Sequence, residues 1–199
     1  KIFGMGPLVE SMAVLKPSFF DREALTVARE LIGTRLCRRL PDGAVARWTI
    51  DETEAYNGPE DGACHAHLNR RTKRTEVMFG PPGTTYIYLC YGIHWLLNLV
   101  TGPEGYPAAV LVRGAGEFDG PGKLTKALTI SGELNALPLK RATGLWIETG
   151  ETPPYPLEAT PRIGIDYAGE PWISKPWRFV ARPPKKTSTR SSRKVATRR

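Results

Sequence analysis

The sequence predicts an α+β fold, a single compact domain around a curved, mainly antiparallel sheet with a few peripheral helices. Three observations carry this reading. The 199 residues fit one hydrophobic core, and a chain of this size buries about 70% of its unfolded surface. Apolar and polar residues alternate in successive runs joined by short Gly and Pro turns, which leave no room for the helical crossovers of a parallel sheet. Only two stretches carry helix signals, and there is no internal repeat.

In chain order, Lys1 to Lys16 mixes Gly, Pro and scattered apolar residues without a period and reads as a flexible lead-in (1–17). Ser18 and Asp21 offer caps for a helix over about 22–32, with Ala24, Leu25, Ala28, Leu31 and Ile32 on one stripe and Gly33 as its stop. Leu36, Arg38 and Leu40 start a strand, Pro41-Asp42-Gly43 turns it, and 45–56 returns antiparallel. Two alternating strands over 85–90 and 94–101 flank Tyr91-Gly92, and a third over 108–112 ends at Arg113. Gly120-Pro121 opens a helix to about Ile130, with proline in the favoured first turn. Weaker strands are expected over 145–148, 162–166 and 177–180.

The net charge is +8, but it is unevenly placed: residues 182–199 hold eight Lys and Arg and no acid, whereas residues 1–181 hold twenty of each sign. A basic tail rich in Ser, Thr and Pro is too polar to fold alone and suits electrostatic contact with nucleic acid phosphates. Cys37, Cys64 and Cys90 are odd in number and lack C-x-x-C spacing, which argues for free thiols over a disulfide framework or a structural zinc site. No run of 18 apolar residues and no signal-peptide pattern is present, so an intracellular protein is expected.

The chemistry concentrates between Thr49 and Arg74. Strand alternation there puts Glu52, Glu54 and Tyr56 on one face with Ile50. A carboxylate beside apolar and aromatic neighbours is open to a shifted pKa, the mark of an active-site strand. After the Gly58-Pro59 turn, Asp61 can cap a short helical turn carrying His65, ahead of the basic loop Arg70 to Arg74. On the residues alone, Glu54 could also be a surface carboxylate, Tyr56 and Tyr88 core aromatics, and Asn98 a buried amide bonded to backbone. A metal site on His65-x-His67 lacks a firm third ligand, and Gly114-x-Gly116 lacks the Lys-Ser/Thr pair of a phosphate loop.

The run Glu52-Thr-Glu-Ala-Tyr-x-Gly-Pro-x-Asp-x-Ala-x-His65, followed by Met78-Phe-x-x-Pro-Gly-Thr-x-Tyr-x-Tyr-x-x-Tyr-Gly92 and then Asn98, resembles the alkyladenine (methylpurine) DNA glycosylase family over about 19–181. The resemblance implies a monofunctional glycosylase domain over 18–181, with the basic tail over 182–199 outside it. Its partner would be double-stranded DNA containing damaged purines, which it would flip and hydrolyse in base excision repair. It implies a monomer with no cofactor and no metal, in the nucleoid of a bacterium or the nucleus of a eukaryote. It makes Glu54 the general base, Arg113 the arginine that positions the water, Tyr56 and His65 the stacking partners of the extruded base, and Tyr88 the closing wall. Asn98 would sit at the pocket floor against normal guanine, and Tyr91 would intercalate in the duplex. The chain departs from the family pattern at Asp51, where an aliphatic residue is usual, and at His94-Trp95. A catalytically idle module that recognises distorted DNA is the alternative, distinguished by whether Glu54 and Arg113 pair.

Overall fold

A computed structural model describes residues 12–183. Two short helices, α1 (Pro17–Phe20) and α2 (Ala24–Leu31), precede the hairpin β1 (Arg35–Arg39) and β2 (Val45–Tyr56). The hairpin β3 (Thr85–Cys90) and β4 (His94–Thr101) leads to β5 (Ala108–Ala115), β6 (Phe118–Asp119) and α3 (Pro121–Ala127). The chain ends in the short strands β7 (Leu145–Glu148), β8 (Glu158–Thr160) and β9 (Arg178–Val180). All pairings are antiparallel, in the order β3-β4-β5-β2-β1-β7, with β6 on β5 and β9 joining β2 to β8. The expected fold class is the one observed.

Period-two alternation divides the sheet into two working faces. Ala55, Ile87, Leu97, Leu99, Val110 and Val112 point to the main core, where Val27 and Leu31 of α2 and Leu124 of α3 cover them. The opposite face carries Tyr86, Val100 and Ala109, packed on Cys64, Ala66, Met78 and Phe79 from the long connection between β2 and β3. On this second face Tyr86 pairs with Asn98, Asn98 with Leu111, and Leu111 with Glu54, so one lateral row crosses four strands. At about 4.8 Å per strand, that row is roughly 14 Å wide.

Several expectations change. Ile50 does not share a face with Glu52 and Glu54; it lies in the main core with Ala55. The register against β5 slips between Ile50 and Glu52 and again between Glu52 and Thr53. A bulge adds one residue to one strand and reverses its alternation from that point. Here Asp51 is the extra residue on β2, and the second slip leaves Arg113 extra on β5. Neither Ser18 nor Asp21 caps α2: Ser18 lies inside α1, and the residue before α2 is Glu23, without a side-chain cap. Gly33 does follow the helix with φ +93°, where a Cβ would meet the Glu151 carbonyl at 2.5 Å.

The stretch 162–166 is not a strand; β8 forms earlier, at Glu158–Thr160. Gly164, with φ +76°, breaks extended geometry there. Described residues also reach past the expected boundaries. Ala13 exchanges hydrogen bonds with Thr149, and Leu15 N donates to Ile147 O, so part of the supposed lead-in runs along β7. Arg182 pairs with Asp51 and, at 3.1 Å, with Glu52. The remainder of the basic tail, from 184 on, lies outside the described residues. Among the described residues no helix is long and apolar enough to cross a membrane.

Candidate active site

A cavity of about 530 Å³ opens on the second face of the sheet. Tyr56, His65, Tyr88, Tyr91, Asn98 and Arg113 all line it. Glu54 lies directly behind, fully buried, and its carboxylate is held by three groups that line or border the space. Tyr56 Oη donates to Oε2 at 3.0 Å, Arg113 Nη1 to Oε2 at 3.3 Å, and the backbone N–H of Ile163 to Oε1 at 2.8 Å. The strand turns Glu54 and Tyr56 to the same side, and the bulge on β5 lets Arg113 face them.

The two carboxylates on this face are driven in opposite directions. Burial raises the pKa of Glu54 above the ordinary range, against the opposing pull of Arg113, the Ile163 N–H, Tyr56 and Arg178. Burial also pushes Glu52 upward, but hydrogen bonds and charge from Arg178 and Arg113 outweigh it and hold Glu52 below the ordinary range. Glu52 Oε1 accepts from Arg113 Nε at 3.0 Å and from Arg178 Nε at 2.7 Å. Neighbouring carboxyls with separated pKa values divide labour, one titrating as a base and one remaining a fixed anion. Burial opposes the Arg113 cation, yet Glu54 and Glu52 more than compensate and raise its pKa.

The aromatic walls follow from the β3 alternation. His65 and Tyr88 meet edge to face, with centroids 4.8 Å apart and an interplanar angle of 76°. His65 Nδ1 lies 2.8 Å from the Tyr86 hydroxyl. Burial, then the Arg74 charge, lowers the His65 pKa to about 4, so the ring is neutral at pH 7. Burial pushes the Tyr86 phenol up to about 12 and that of Tyr88 higher still. Asn98 points its amide nitrogen at the carbonyls of Tyr86 (3.0 Å) and Leu96 (3.4 Å). His67 does not join the site; its Nδ1 lies 2.8 Å from Pro59 O. Asp61 does not cap a helix but accepts the N–H groups of Asn57 and Ala63 and anchors the turn before His65.

Tyr91 sits at the tip of the β3–β4 hairpin, 91% exposed, with φ +51°. The left-handed region costs a side-chain-bearing residue roughly 1–2 kcal/mol, and here it projects the ring from the cavity rim. Leu89, Ile163 and Tyr167 add exposed apolar surface around the same mouth, a concentration that marks a contact surface. A smaller cleft beside it is lined by Arg70, Thr72, Arg74 and Thr75 together with His65.

Sequence reasoning missed four members of the site. Tyr86 had a signal, since it shares the alternation of Tyr88. The Ile163 N–H, the Asp61–Arg162 pair and the Arg178 contact had none, because each joins segments about 100 residues or more apart.

The model of the methylpurine-DNA glycosylase family matches residues 18–118 and 117–185. A protein of Psychrobacter cryohalolentis is 43% identical over 194 residues, covering 83% of this chain and 89% of that protein. One from Methanocella arvoryzae is 46% identical over 189 residues, covering 84% and 92%. One from Bacillus cereus is 39% identical over 193 residues, covering 82% and 93%. All three carry names that provisionally assign them as 3-methyladenine DNA glycosylases. With the family model spanning both the Glu54 strand and the Ile163 loop, this chain belongs to the methylpurine-DNA glycosylase family.

Proposed function

We propose that the protein is a monofunctional DNA glycosylase that extrudes an alkylated or deaminated purine from duplex DNA and hydrolyses its N-glycosidic bond. The observation that carries this reading is the buried Glu54 carboxylate, held by Arg113, Tyr56 and the Ile163 N–H behind an aromatic cavity. Binding alone does not need such a base. Glu54 takes a proton from a water that adds to the anomeric carbon, while the purine leaves with the electron pair of the C–N bond. Arg113 favours the charged carboxylate against the effect of burial and orients it.

A purine methylated on N3 or N7 is cationic and departs neutral, without an added proton. The same charge favours electron-rich rings, through cation–π attraction of about 0.5–2 kcal/mol. Tyr56 and Tyr88 supply such rings, and the neutral His65 adds a wall that does not repel the cation. Asn98, with its amide directed at backbone carbonyls, fits a floor that crowds the exocyclic amine of normal guanine. Tyr91 would fill the gap left by the extruded base, and Arg70 and Arg74 would meet the flanking phosphates. Among the described residues no lysine lines the cavity, which supports water rather than an amine as the nucleophile.

The test is a duplex carrying one methylated or deaminated purine, incubated with protein and then with alkali. Strand breakage at the lesion only after alkali supports the reading. An intact strand for every lesion would leave a module that binds distorted DNA without chemistry.

A further inference from the structure

Arg162 and Asp61 form an ion pair whose side chains are both 0% exposed. The fork is two-pronged: Nη1 lies 2.6 Å from Oδ2 and Nη2 lies 2.9 Å from Oδ1. Nη1 also reaches the Ala55 carbonyl at 2.9 Å, between Glu54 and Tyr56 on β2. The guanidinium carbon stands 4.9 Å from the ring centroid of Tyr56 and 4.9 Å from that of Trp177. Beyond Trp177, the Lys175 ammonium lies 4.4 Å from that ring and 4.2 Å from Trp172. Aromatic rings and cations therefore alternate outward from the cavity wall: Tyr56, Arg162, Trp177, Lys175, Trp172.

We propose that Arg162, clamped by Asp61, is a positioning residue that fixes both the stacking face of Tyr56 and the orientation of Glu54, an inference that rests on the base-excision reading above. Tyr56 lines the cavity and Arg162 does not, so the guanidinium occupies the rear face of the ring and leaves the front for a base. The peptide that follows Arg162 supplies the Ile163 N–H to Glu54 Oε1. Tyr56, whose rear face Arg162 covers, supplies its hydroxyl to Oε2. Two of the three groups holding the carboxylate thus depend on the place of one side chain. Asp61 performs a second task. A bare cation behind Tyr56 would oppose binding of a cationic purine, and the carboxylate neutralises it.

Glu54 is faced by Tyr56 and Glu52 from β2, Arg113 from β5 and Arg178 from β9, in addition to the Ile163 N–H. An N–H donated to a carboxylate stabilises its charged form. Misplacing Ile163 therefore moves protonation of Glu54 to higher pH.

Removing one partner of a buried pair is strongly destabilising, whereas replacing both with apolar residues of similar volume is often neutral. The informative variant is the double substitution Asp61→Leu with Arg162→Met, its fold checked by circular dichroism. Single-turnover excision of a cationic 7-methylguanine should fall on the order of 10²-fold, the usual cost of a misplaced reacting group. The acid limb of the rate should move to higher pH. Carbon-13 NMR of the Glu54 carboxyl should show the same upward move without DNA. Should the double variant not fold, Arg162→Lys keeps the charge but lacks the planar fork, and the same two readings apply. A folded variant with the parental Glu54 titration and rate would overturn the proposal and leave Arg162 a residue of the fold alone. If the parent protein releases no base from any lesion, the base-excision reading fails. The Glu54 titration then decides the positioning role by itself: an upward move supports it and an unchanged one overturns it.

Discussion

The hydroxyl of Tyr56 donates to Oε2 of Glu54 at 3.0 Å, although the two stand only two residues apart on the same face of β2. One ring thereby serves as cavity wall and as donor to the buried carboxylate. Tyr56→Phe keeps the wall and removes the donor. A hydrogen bond to a charged group is worth about 1.5–3 kcal/mol, so excision near neutral pH should slow by about tenfold or more. Burial already raises the Glu54 pKa, and loss of the hydroxyl raises it further. The rate is lost as pH falls through that pKa, so the acid limb should move to higher pH and the deficit should shrink at alkaline pH. Single-turnover rates across the pH range measure this, and an unmoved limb would detach Tyr56 from Glu54.

Tyr91→Ala should act on extrusion and leave the chemistry alone. Without an inserted ring the extrahelical state loses about 1–3 kcal/mol, the worth of one base–aromatic stack, and the flipped fraction should fall about 5- to 150-fold. The deficit should be largest for a well-stacked lesion such as hypoxanthine and smallest in single strands. The protein itself should not be destabilised, because Tyr91 is 91% exposed at φ +51°. A fluorescent base analogue at the lesion reports the flipped fraction, and an unchanged fraction would remove Tyr91 from this role.

His65 makes stability depend on pH in a definite window. Its folded pKa of about 4 lies below the ordinary histidine value of 6.5, through burial and then Arg74. Between those values the unfolded chain binds more protons, so stability rises with pH there by at most ~1.4 kcal/mol per unit. It is lost as the solution is acidified from 6.5 towards 4. His65→Gln should flatten this part of the profile, measured as urea midpoints at several pH values. Equal slopes in the two proteins would show that His65 is not held neutral by the fold.

The strands around the site were legible because period-two alternation is a local property. Tyr86, Tyr88 and Tyr56 line the cavity, with Glu54 buried behind it on the same face of β2 as Tyr56, as that alternation requires, and Tyr91-Gly92 turns the hairpin. The placement of Ile50 was not legible, because the bulge at Asp51 is defined only by the partner strand. Ile163 and Ile165 around Gly164 imitate a strand, whereas the local geometry serves one long-range bond, from Ile163 N–H to Glu54. The reading of Asp61 as a cap had the right residue type, but its main partner, Arg162, lies 101 residues away. Asp51, which the resemblance marks out as unusual, gains its partner from Arg182, which composition alone assigns to the tail.

Base release by parent protein and Glu54→Gln, compared in single turnover on one duplex containing 7-methylguanine, tests the central claim most directly. Glutamine keeps the volume but cannot take a proton from water, and removal of a general base costs about 10²–10⁴-fold. Affinity for the same duplex should stay within a few-fold, since Tyr56, His65 and Tyr88 still line the cavity. Glu52→Gln should slow release far less, because Glu52 braces Arg113 and Arg178 without holding a catalytic proton. Loss of release in Glu54→Gln with binding retained is the predicted result; release at the parental rate, or equal loss in Glu52→Gln, would contradict the assignment of Glu54 as the base.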